Sequence, residues 1–192
     1  MASTLTKTQL ANLALSKLGP GGGFITDFDS DTTVQAQSAR RTYDAIQGEV
    51  NEAHPWRFAR RRAALAADTV KPAWGFDTQY ILPVDFLRIL SIEGFKIDYE
   101  VEGDRLLCNE TGALNVRYLA RVTDVSKFTP TFIAAFCARW AAEMCPTITK
   151  STSKRDDLLT EYTAQLKQAR RVDMFGSASE PAADGDWLLS RL

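Results

Sequence analysis

Pro55 stands between a helical apolar face and a run of alternating side chains, and it constrains this chain more than any other residue. Before it, Ala39, Tyr43, Ile46, Val50 and Ala53 recur at spacings of four and three, which lines one face of a helix with apolar groups. Proline lacks the N–H that another turn requires and pushes His54 out of the helical region, so the helix stops there. After it, Trp56, Phe58 and Arg60 alternate with Arg57, Ala59 and Arg61, a period of two that predicts a strand from Trp56 onward. The result is a helix-to-strand joint with arginines beside it. No catalytic group is forced by it.

The remaining pattern surrounds this joint with helices. Thr6 and Gln9 have the spacing of a capping box, and Leu10, Leu13, Ala14 and Leu18 make an apolar stripe that Gly19-Pro20 stops. Asp31 or Thr32 is the expected cap of the second helix. Phe95, Ile97, Tyr99 and Val101 alternate as a strand, Gly103-Asp104 turns it into Arg105-Leu106-Leu107-Cys108, and Leu114, Val116, Tyr118 and Ala120 supply another. Thr129-Pro130 opens a third helix with the apolar face Phe132, Ile133, Phe136, Cys137, Trp140 and Met144, which Pro146 should close. A fourth, roughly over residues 153–174, carries Leu158, Leu159, Tyr162, Leu166 and Ala169.

The expected class is therefore α+β: mainly a bundle of about four helices, with a small antiparallel β-sheet inserted between helices 2 and 3, plus an extended C-terminal tail. Residues 1–175 form one domain, helical over 5–54 and 129–175 and β-rich over 55–122, and residues 176–192 form a flexible tail.

Composition narrows the function classes. A net charge of −1 argues against tight nonspecific nucleic-acid binding, which needs surplus lysine and arginine to displace phosphate counterions. Cys108, Cys137 and Cys145 are odd in number and lack Cys-x-x-Cys spacing, which suits small buried apolar groups in a reducing cytosol. No apolar run approaches the roughly 18 residues of a membrane helix, and no signal peptide is read, so a soluble protein made in the cytoplasm is expected.

Candidate chemistry is thin. His54, the single histidine, suits a helix-end cap or an exposed ring better than a general base. Asp27, Asp29 and Asp31 lack the further oxygen ligands of a calcium loop, and Gly19-Pro20-Gly21-Gly22-Gly23 is followed by no Gly-Lys-Ser/Thr. Ser38, Ser151 and Ser153 have no nucleophile context, and Glu49 with Glu52 reads as a solvated helical pair. No enzyme, cofactor or metal is expected.

Several motifs in order resemble the head–tail connector family of tailed phages (tail tubular protein A-like). They are Leu13-Ala14 through Leu18-Gly19, Ile25-Thr26, Asp29-Ser30-Asp31, Tyr43-Asp44, His54-Pro55-Trp56-Arg57-Phe58-Ala59, and Leu82-Pro83-Val84-Asp85-Phe86-Leu87-Arg88. The likeness runs on through Val116-Arg117-Tyr118 and Phe132-Ile133-Ala134-Ala135-Phe136, over roughly residues 5–175; Gly21-Gly22-Gly23 departs from the family's usual Pro/Ser.

The resemblance implies a structural virion protein of the neck or tail, made in the host cytoplasm. It implies a homo-oligomeric ring, a dodecamer matching a portal, between the portal protein and a downstream tail or nozzle protein, with genomic DNA passing transiently through the lumen and no membrane partner. From other classes stand a virion-associated peptidoglycan-degrading enzyme and a small nucleic-acid-binding module. The basic cluster Arg57, Arg60, Arg61 and Arg62, with Arg40 and Arg41 nearby, either faces passing DNA or pairs with acids of an adjoining subunit; the slight negative charge favours the second. Residues 176–186 are a Gly/Ala/Ser/Asp tether that ends in Trp187, Leu188, Leu189 and Leu192, either a frayed end or an anchor; the resemblance favours an anchor that docks on the portal.

Overall fold

The computed structural model describes residues 5–93 and 97–175. Its class is mixed α+β, with four helices and two antiparallel three-stranded sheets among the described residues. In chain order these are α1 (Lys7–Ser16), α2 (Val34–Glu52), β1 (Arg60–Leu65), β2 (Thr78–Ile81), β3 (Phe86–Ile92), β4 (Tyr99–Glu102), β5 (Arg105–Cys108), β6 (Leu114–Ala120), α3 (Pro130–Thr149) and α4 (Thr152–Phe175). The expected single sheet is thus two, ordered β1-β6-β3 and β2-β5-β4. The expected C-terminal tail lies outside the described residues.

Local chemistry sets the helix starts. The Thr6 side chain accepts from Gln9 N at 3.2 Å, and Gln9 Oε1 accepts from Thr6 N at 2.9 Å, which satisfies two otherwise orphaned donors. Thr129 caps α3 through Phe132 N, with Pro130 in the first turn. The cap of α2 is Thr33 rather than Asp31 or Thr32; the Asp31 carboxylate instead accepts from the N–H groups of Thr33 and Thr26 and holds the preceding loop. Pro146 does not close α3, which runs on to Thr149 before Lys150, at φ 55°, turns the chain in a left-handed cap.

Two cores result. In the larger, α3 packs against α1, α2 and α4, and Phe136 and Trp140 are fully buried among Tyr43, Phe28 and Phe132. Leu13 departs from the expected stripe: it stays 45% exposed, and Ala11 and Leu15 take its place inside. The smaller core lies between the sheets, where Tyr80, Leu106 and Cys108 meet Leu114, Val116 and Tyr118. β6 joins the two, because its next residue, Leu119, points back into the helical core. Gly103, at φ 59°, makes the two-residue turn that pairs Glu102 with Arg105. Tyr99 and Val101 sit at the sheet edge and remain exposed.

No helix among the described residues is long and apolar enough to cross a membrane.

Candidate functional site

The joint after α2 is built by Trp56. The strand expected from Trp56 begins only at Arg60, because residues Arg57–Ala59 form a 3₁₀ turn closed by Ala59 N donating to Trp56 O at 2.9 Å. That turn lets the Trp56 ring swing under the helix end, where Nε1 donates to Val50 O at 2.8 Å and satisfies a terminal carbonyl. The ring is fully buried, edge-on to Phe132 at 5.1 Å and stacked on Phe58 at 6.2 Å. Burial of an aromatic body with a satisfied N–H outweighs the period-two pattern here.

The last turn of α4 latches onto this joint. Asp173, only 7% exposed, accepts from Arg57 N at 3.2 Å and lies 3.2 Å from His54 Nε2 and 3.7 Å from the Arg60 guanidinium. Arg170 donates to Ala53 O at 2.7 Å, placing a cation at the carbonyl end of α2. Of the two expected places for His54, a helix-end cap or an exposed ring, the exposed ring is overturned: its side chain is 11% exposed and is a partner in this latch. Burial lowers its pKa below the usual 6.5, and the Asp173 carboxylate opposes that in part.

The arginines separate into two kinds. Arg60 Nε donates to Pro55 O at 2.7 Å, and Arg61 pairs with Asp85 at 2.6 Å, where Tyr118 Oη also donates to that carboxylate. Arg40 is no part of a basic face, since it clamps the loop carbonyls of Phe28 and Asp31. Arg57 and Arg62 are exposed, and Arg62 stands directly opposite Arg117 of β6 above a groove lined also by Ser91, Glu93 and Asn115. Arg41 is exposed on α2, away from them in the chain. The anchor residues Trp187, Leu188, Leu189 and Leu192 lie outside the described residues.

Residue spacing singles out neither Asp173 nor Asp85 as a site residue. Asp173 had a signal: it follows Ala169 by four residues and continues the apolar stripe of α4, so a carboxylate there had to find a partner. Asp27 accepts from the Ser30 N–H and hydroxyl, which hold its carboxyl below the usual carboxylate range. Burial pushes the Cys137 thiol up to about 12, and all three cysteines are buried and free. Among the described residues no three His, Cys, Asp or Glu side chains cluster as metal ligands. No protein-family model matches the chain, and no curated protein matches it.

Proposed function

We propose that this chain is a structural virion protein, a head–tail adaptor that assembles as a twelve-membered ring between the portal and the downstream tail or nozzle protein and surrounds the path of DNA. One observation carries the reading. The side chains that make up the motif likeness serve as joints of a rigid body, with Trp56 under α2 and Asp85 held by Arg61 and Tyr118, while the groups turned outward beside them are the charges Arg57 and Arg62. Fixed joints with charged outer edges suit assembly against unlike neighbours, where charge pairs set register and orientation. A heterologous contact that closes by rotation makes a ring. The Trp187-Leu188-Leu189 segment with Leu192 is assigned to the portal contact, because a tethered apolar anchor is held at high local concentration near a partner the folded body already touches.

Electron microscopy of the purified protein, alone and mixed with its portal, tests this. Twelve-fold rings seated on the portal are expected; particles that form no ring and bind no portal overturn it. A peptidoglycan-hydrolysis assay and a salt-titrated DNA-binding measurement report on the enzyme and nucleic-acid readings.

A further inference from the structure

The loop that returns from α1 lies back along that helix and leaves a groove beside it. Asn12 clamps the loop: its Nδ2 donates to Ile25 O at 2.9 Å and its Oδ1 accepts from Ile25 N at 2.9 Å, while Thr8 Oγ1 accepts from Phe28 N at 3.1 Å. Ile25 and Phe28 enter the core, and Phe24 stays outside, 72% exposed. Phe24, Leu13 and Leu5 give the groove of about 700 Å³ its apolar walls, and none of its lining side chains is charged. Its polar side chains are already engaged within the chain. Thr6 and Gln9 close the capping box, Asn12 and Thr8 hold the loop, and Ser16 Oγ donates to Leu13 O at 2.8 Å. What the groove offers is apolar surface, so it selects an uncharged apolar occupant.

The chain itself carries such a segment. Outside the described residues, 1–4 and 94–96 hold one large apolar side chain each, Met1 and Phe95, whereas Trp187, Leu188, Leu189 and Leu192 stand together. The reach is sufficient. Lys17, at the end of α1, pairs with Glu161 of α4. From Glu161 to Phe175 is about 21 Å along α4, and from Lys17 back to Leu13 is about 6 Å along α1. The stretch of chain from Phe175 to Trp187 spans up to about 40 Å. A segment tethered this closely meets the groove at an effective concentration on the order of millimolar.

We propose that in the free chain the Trp187-Leu188-Leu189 segment seats in this groove of its own chain, against Leu13 and Phe24. The seating goes beyond the portal reading and stands without it. Where that reading holds, the portal takes the segment from the groove.

The test uses the full chain. Leu13→Cys with Leu189→Cys, or Phe24→Cys with Leu189→Cys, should form a disulfide on oxidation, found as linked peptides by mass spectrometry; the three native cysteines are buried. In an equal mixture of isotope-labelled and unlabelled chains, the linked peptides should come from one chain. Mixed-isotope links make a second copy the occupant and overturn the proposal. Alkylation of the thiol introduced by Leu13→Cys should speed up about tenfold when Trp187→Asp is added, because the cover is lost. An unchanged rate, or no link in either pair, overturns the seating and leaves the portal reading standing. Excess portal should lower the link yield about tenfold. Links that bound portal leaves undiminished overturn the assignment of the segment to the portal contact and leave the seating in place.

Discussion

A Cβ built on Gly22 would lie 2.1 Å from the Leu15 carbonyl oxygen, where the chain leaving α1 folds back against its last turn. That neighbour is backbone, so it cannot rotate away. Gly22→Ala should cost about 1–3 kcal/mol, read as a lowered melting temperature. The glycine run that departs from the likeness thus answers a local contact. At His54 the issue is charge. Its folded-state pKa lies below the unfolded 6.5 because the ring is buried, so the stability linked to a neutral ring is in place above that pH and is lost as the pH falls below it toward the folded value. Denaturant titrations at pH 7.5 and 5.5 should show stability falling on acidification, and His54→Gln should flatten part of that fall. An unchanged pH slope in the variant would remove His54 from the account.

At the scale of the element, α3 is the strut of the helical core. Trp140 is fully buried, donates through Nε1 to Thr42 Oγ1 at 2.9 Å and lies edge-on to Tyr43 at 5.3 Å. Trp140→Ala removes that ring and the hydroxyl's partner together, and should cost about 3–5 kcal/mol in equilibrium unfolding. Pro146 acts the other way. It sits inside α3 and cannot donate to the carbonyl of Ala142, yet the helix continues to Thr149, held by packing of Cys145 and Met144. Pro146→Ala should therefore raise stability, by up to about 3 kcal/mol, with a higher melting temperature as the measure. The fourth helix needs no such repair; Lys17 of the α1 cap region pairs with its Glu161, and Asp173 secures its far end.

At the scale of the whole molecule, the proposed reading gives the folded body and residues 177–192 separate jobs. Deleting residues 177–192 should leave the melting temperature and helical circular-dichroism signal almost unchanged while weakening attachment to the portal; undiminished portal affinity would return the segment to a frayed end. Charge reversal at Arg60 and Arg61, a natural choice from sequence, is a poor assembly probe, because both guanidiniums hold the chain's own joint and strand. The difference between these arginines and Arg62 is invisible in a row of three identical residues. Features that could be read along the chain are those whose partners lie within a few residues. The Thr6–Gln9 capping box, the Thr129-Pro130 start and the Gly103-Asp104 turn are closed by atoms one to three positions away, so their chemistry is complete in the local sequence. The mixed α+β class follows equally from periodicity, although periodicity does not show that the strands form two sheets and not one. Folding alone decided the rest. Trp56 leaves the strand pattern because Val50 O and Phe132 offer it a dry, satisfied site. Asp173 reaches His54 across 119 positions of chain, and no local pattern encodes which buried carboxylate will meet which donor at that separation. Burying a charge demands a partner; only the packing of α4 against α3, which brings its last turn to the joint after α2, chose it.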